Sequence, residues 1–142
     1  MSRAVGLGLA TALAVAVGYG VLWLIASWGL VVAGFFGGWL IGSSVARGLR
    51  AGGSWPRGAS TAAALLGILS WLVGSYVAFV IVQLLEGSGG LLGRIGPAHF
   101  ATNLAAIADP PWMQLAIVGA FMAAAAFTAR APRANSAPAE GR

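Results

Sequence analysis

Glu86, His99 and Asp109 are the side chains of this 142-residue chain best suited to acid–base or metal-ligand chemistry. No two of them share a ligand-like spacing, so separate solvated or capping roles are expected of them. Glu86 closes a long apolar run, with Arg94 as a possible partner. Asp109 stands before Pro110 and Pro111, placed to cap the helix that follows. His99 falls on the polar side of a short amphipathic segment. Ser43, Ser44, Ser70 and Ser75 lie in apolar helical runs, where a hydroxyl bonds back to the preceding turn. Nothing in the pattern positions a base beside them for nucleophilic catalysis. The glycine-rich stretch 87–96 follows no strand and carries no phosphate-loop lysine, which argues against nucleotide binding. The chain has no cysteine, which excludes disulfides, iron–sulfur clusters and thiolate metal sites. The expectation is a non-catalytic protein without a cofactor or metal.

The remaining polar groups with reach are Gln83, Gln114, Tyr19 and Tyr76. Gln83 and Gln114 sit near the ends of apolar runs and could bond between helices. Tyr76 and Trp71 sit deeper, where they fill a helical interior or line a small cavity. No Asp, Glu, Lys, Arg or His falls in the middle of any apolar run. Ionisable groups at such depth mark proton relays and ion-coupled transport, so that class is disfavoured.

These side chains have to be positioned by elements that live in lipid. The chain is 59% hydrophobic and only 8% charged, whereas a soluble domain carries about a quarter charged residues. Residues 4–46 contain no charge, and as one helix they would extend about 65 Å, twice the roughly 30 Å hydrocarbon core. They must turn back, and Ala26-Ser27-Trp28-Gly29 is the place, with Trp23 and Trp28 as headgroup anchors. Four spans are expected at about 5–25, 29–46, 60–85 and 112–129. Between the third and fourth, a flexible Gly87-Ser88-Gly89-Gly90 linker precedes a short helix at 97–108 that begins at Pro97. Phe100, Leu104 and Ile107 share one face of it; His99, Thr102, Asn103 and Ala106 share the other. It is expected on the outer interface or folded as a cap over the helices. Residues 130–142, rich in Ala, Pro and Arg, are expected to be a disordered tail. Arg3 and the alanines near residue 14 resemble a secretory signal, but the apolar run continues past them without a polar start, so a first span is expected instead.

All eight basic residues are arginines, and the net charge is +5. With four crossings, Arg3, Arg47, Arg50, Arg57, Arg130, Arg133 and Arg142 fall on one side and Arg94 on the other. Positive charge collects on the cytoplasmic side, which places both termini there, in the inner (plasma) membrane. The positive charge is thereby explained by topology, and no nucleic-acid partner is expected.

In lipid, helices associate through small side chains. Gly34, Gly38, Gly42 and Ala46 form a strict four-residue repeat, a glycine-zipper ridge. Gly6, Ala10, Ala14 and Gly18 repeat at the same interval in the first span. Ala63, Gly67, Ser70, Gly74 and Ala78 recur closer to a heptad, and Ala116, Ala120 and Ala124 mark the last span. These stripes are expected to pack the four spans into one bundle; alternatively the Gly34–Gly38–Gly42 ridge faces a second chain.

The run Gly37-Gly38-Trp39-Leu40-Ile41-Gly42-Ser43-Ser44-Val45-Ala46-Arg47-Gly48, followed by Gly52-Gly53 and another apolar span, resembles small bacterial four-span membrane proteins that pair a glycine-rich second span with a basic inner loop. The missing lysine and the 22 glycines fit a high-GC bacterial coding sequence. The resemblance covers residues 30–80 and implies a membrane module with no assigned activity, so no functional residue carries over from it. Fold and function are then expected to be an all-α, four-transmembrane-helix bundle with a short interfacial helix. It acts as a scaffold or accessory subunit, with the lipid bilayer and another membrane protein or a second copy as partners. The rival expectation is a small pore or transporter for an uncharged or lipophilic solute, lined by Ser70, Ser75, Tyr76 and Gln83.

Overall fold

The computed structural model describes residues 2–25, 29–53, 55–86, 94–107 and 111–130. The expected turn at residues 26–28, the 87–90 linker, Asp109 and the tail with Arg133 and Arg142 lie outside them. The described residues form an all-helical protein of five helices: α1 (Ser2–Ile25), α2 (Leu30–Gly52), α3 (Ala59–Leu85), α4 (Pro97–Ile107) and α5 (Pro111–Thr128). Three of them, α1, α2 and α3, are long and apolar enough to cross a membrane, and α5 is a shorter apolar helix. Large apolar side chains face outward along these helices, among them Leu13 and Val17 of α1, Phe35 and Phe36 of α2, Leu65 of α3 and Leu115 of α5. Such continuous apolar exposure suits contact with lipid.

α2 runs on past Ala46, where the onset of charge suggested its end. Arg47 and Arg50 are exposed on its last turns. Charge marks where the chain leaves hydrocarbon, but a helix needs a backbone reason to stop. That reason is Gly53, whose φ of 66° lies in the left-handed region and whose N–H donates to the Arg50 carbonyl oxygen at 3.3 Å.

α1 and α5 each pack on both α2 and α3, and α2 touches α3 between them. Ala12 and Ala16 of α1 meet Ser70 and Gly74 of α3, so these two helices run parallel. Gly34, Gly38 and Gly42 of α2 meet Ile117, Phe121 and Ala125 of α5 in constant register, so that pair is parallel as well. Ala4 meets Gly48, which sets α1 antiparallel to α2. At the centre the rings of Tyr19 and Phe121 cross edge to face at 5.4 Å and 74°, among buried Leu30, Ile41 and Ile117.

The Gly34–Gly38–Gly42 ridge is therefore occupied from within. A Cβ at Gly38 would collide with the Phe121 carbonyl, and one at Gly42 with the Ala125 carbonyl and the Thr128 hydroxyl. The alternative that this ridge faces a second chain is corrected by that packing, which also buries Ala46. Gly67 and Gly74 of α3 are buried too. A Cβ on Gly67 would stand 3.0 Å from the Phe121 carbonyl oxygen, and one on Gly74 2.8 Å from that of Ala16.

Gly6, Ala10, Ala14 and Gly18 require the opposite correction. All four are exposed, and nothing stands within 4 Å of a Cβ placed on Gly6 or Gly18. The inward row of α1 is Ala4, Gly8, Ala12, Ala16 and Gly20. The two rows are offset by two residues, about 200° around the helix, so they occupy opposite faces.

Hydroxyls supply a few polar ties. Ser70 Oγ, buried, donates to the Ala12 carbonyl oxygen at 2.9 Å, joining α3 to α1. The Thr11 and Ser44 hydroxyls bond each other at 2.9 Å, joining α1 to α2. Trp55 Nε1 donates to the Ala129 carbonyl oxygen at 3.1 Å, fastening the loop before α3 to the end of α5.

Candidate functional site

Of the three acid–base candidates, Glu86 and His99 are among the described residues. Glu86 is exposed at the end of α3 and His99 is exposed on α4. Among the described residues no group of three His, Cys, Asp or Glu side chains could hold a metal ion. What the fold does build is a chamber at the end of the molecule carrying α4.

α4 rests on α3. Pro97 starts it with φ already fixed for a helix, and Phe100 then lands on the α3 aromatics. Phe100 meets Tyr76 edge to face at 5.1 Å and Phe79 at 5.6 Å. The Tyr76 hydroxyl donates to the Ile95 carbonyl oxygen at 2.9 Å, just ahead of the helix. Three rings and one hydrogen bond thus hold an eleven-residue helix that would be marginal alone.

Beneath it lies a cavity of about 250 Å³. Trp23 of α1, Phe79 and Val82 of α3, and Phe100 and Leu104 of α4 give it apolar walls. Ser75 of α3, Asn103 of α4 and Gln114 of α5 supply its polar groups, all of them neutral. An apolar cavity of 150 Å³ is enough to hold benzene, so by proportion this one takes about ten non-hydrogen atoms. Its walls come from four helices, and the polar atoms can orient an occupant by a hydroxyl or carbonyl. Among the described lining residues Ser75 is the only hydroxyl, and none of them is an acid or base.

Phe79 and Asn103 also border a wider vestibule of about 640 Å³, open to the outside and lined by Gln83, Arg94, His99 and Thr102. On the other flank of α4, Leu72, Val73, Tyr76, Pro97 and Phe100 form a shallow apolar groove.

Of the residues expected to line a polar path, Ser75 lines the cavity and Gln83 the vestibule. Ser70 does neither, because its hydroxyl is spent on Ala12. Tyr76 lies on the groove side, braced against Phe100. Trp71 Nε1 is buried without a hydrogen-bond partner among the described residues, and its ring packs against the buried core. Gln114 reaches the cavity and Gln83 the vestibule, so the two serve separate chambers. Asn103 lines the open vestibule with His99 and Thr102, the face expected of it, and borders the inner cavity as well. Trp23, read from sequence as a headgroup anchor, is a cavity wall. No pattern along α1 distinguishes those two roles for a tryptophan near a helix end.

No protein-family model matches the chain, and neither does any of the curated proteins or solved structures with which it was compared.

Proposed function

We propose that the protein is a non-catalytic, four-span membrane protein that binds a small, uncharged, lipophilic solute at its α4 end. The observation carrying this reading is the roofed cavity, whose described lining residues are apolar apart from three neutral polar ones and include no charged side chain. The fourth span is α5. Its 18 residues extend about 27 Å, near the roughly 30 Å of hydrocarbon. It also keeps constant register with α2 over Gly34, Gly38 and Gly42, so a membrane crossed by α2 is crossed beside it by α5. Arg3, Arg47, Arg50, Arg57 and Arg130 lie at the end opposite α4, which supports cytoplasmic termini in the inner membrane and an outward-facing cavity. Binding and release there would serve a carrier or small transporter.

The test is saturation-transfer NMR with 1-naphthol, a neutral probe of the right size, on the full chain in nanodiscs. Empty nanodiscs report partition into lipid. Signal transfer above that background is expected and should vanish in Leu104→Trp, which fills the cavity. Equal transfer in both proteins would overturn the reading.

A second reading, the scaffold or accessory subunit, is favoured by the outward row Gly6, Ala10, Ala14 and Gly18. α1 is smooth on the face it does not use internally, and small residues let membrane helices approach closely. Gly6→Leu with Gly18→Leu should abolish a co-purifying partner or oligomer while leaving the fold intact. Unchanged assembly would remove this reading.

A further inference from the structure

We propose that the pocket between the start of α3 and the end of α5 binds a phosphate-ester oxyanion, supplied by the headgroup of an anionic lipid. Arg57 and Arg130 both line this pocket of about 210 Å³, together with Trp55, Pro56, Ala59, Ser60 and Ala129. The inference is independent of the cavity at the α4 end. It concerns the opposite end of the molecule and different chemistry.

Four observations converge on it. The two arginines come from distant segments, and the Trp55 hydrogen bond to the Ala129 carbonyl oxygen is what brings them around one space. Neither makes an ion pair with any described residue, and no carboxylate is among the described residues lining the pocket; Arg130 lies over the Phe127 ring, 5.4 Å from its centroid. Two like charges around a shared pocket repel until an anion enters. α3 also begins here without a side-chain cap: Gly58 supplies none, and Ala59 N–H is satisfied by the Pro56 carbonyl oxygen at 3.1 Å. The first-turn amides of Ser60 and Thr61 have no intrahelical acceptor, and the helix dipole favours negative charge beside them. Finally, the pocket has room for roughly seven water-sized groups, enough for a phosphate and its first ester carbons.

Guanidinium groups match phosphate oxygens in paired hydrogen bonds, which a lone surface charge does not offer. Basic pockets between membrane helices hold anionic lipid heads by this chemistry. A zwitterionic head carries the same phosphodiester but adds an ammonium that the two arginines repel. The site therefore prefers phosphatidylglycerol to phosphatidylcholine.

The test titrates the purified full chain in detergent with short-chain phosphatidylglycerol, short-chain phosphatidylcholine and inorganic phosphate, counting bound copies by native mass spectrometry. Phosphatidylglycerol should bind and phosphatidylcholine should bind far more weakly. Arg57→Gln with Arg130→Gln should weaken phosphatidylglycerol roughly thirtyfold, about fivefold for each arginine. Arg47→Gln with Arg50→Gln removes equal charge at the same end but outside the pocket, and should leave binding within about twofold. Inorganic phosphate that binds as tightly, with the same dependence on Arg57 and Arg130, would identify the source as free phosphate in the same site. Trp55→Phe keeps both charges and their role in threading while cutting the tie to Ala129; binding should fall severalfold. Equal losses in the two arginine pairs, or full affinity in Trp55→Phe, would overturn the proposal.

Discussion

Gly38 and Gly6 are both glycines in apolar helices, yet their surroundings give them opposite tolerances. At Gly38 a side chain would meet the Phe121 backbone, which cannot rotate away. Gly38→Leu must force α2 off α5, an overpacking change worth about 1–3 kcal/mol or more. At Gly6 nothing stands within reach, so Gly6→Leu should stay within about 0.5 kcal/mol. Ser70→Ala belongs between them. It removes the Ser70–Ala12 hydrogen bond, and interhelical bonds of this kind in membranes average about 0.6 kcal/mol. The Ala12 carbonyl keeps its place in the α1 ladder, which limits the loss. Denaturant unfolding in detergent micelles should therefore rank stability as wild type ≈ Gly6→Leu > Ser70→Ala > Gly38→Leu. A Gly38→Leu protein as stable as wild type would contradict the α2–α5 contact.

Among the elements, α4 is the one most easily detached, because the ring contacts of its Phe100 with Tyr76 and Phe79 of α3 are its main hold among the described residues. Phe100→Ala should free α4 while leaving α1, α2, α3 and α5 packed. Hydrogen exchange at α4 amides should rise strongly, with little change elsewhere, and 1-naphthol binding should be lost with the roof. Exchange that rises throughout would mean that α4 braces the whole fold. That α4 exists was legible in the sequence, from Pro97 and the spacing of Phe100 and Leu104. Its seating on α3 was not, because the contacts of Phe100 with Tyr76 and Phe79 join segments that no local spacing relates. α1 shows the same limit more sharply. Every even position from Ala4 to Gly20 is small, so two equivalent rows run down opposite faces. Only the partners choose between them: Val45 and Leu66 against Gly8, and Ser70 against Ala12. The α2 ridge was legible as a close contact because α2 has one such row, but its partner was not, since spacing carries no information about what sits opposite. The cavity was legible least of all. Its walls come from four helices, and no local pattern records their meeting.

For the whole molecule the decisive question is how many times it crosses the membrane, and the chain's lack of cysteine makes this directly measurable. Five of the described arginines lie at one end, where Ala4 packs on Gly48 and Trp55 reaches Ala129; Arg94 lies at the other. A three-span arrangement would leave α5 outside, exposing Leu115 and Phe127 to water and drawing Phe121 away from Gly38. It would also place Arg130 and the residues after it on the outer side, against the tendency of positive loops to stay inside. Four crossings keep the α2–α5 register and leave only Arg94 outside. Single cysteines at Gly52, Ala98 and Ser136 separate the two cases. Under a membrane-impermeant maleimide applied to intact cells, Ala98→Cys should label in both, and Gly52→Cys should stay protected until the membrane is opened. Ser136→Cys decides: protection matching that of Gly52→Cys means that α5 crosses, and prompt labelling means that it does not. On the proposed four-span reading protection is expected, because a helix packed in register along a spanning neighbour ends on the side where that neighbour ends.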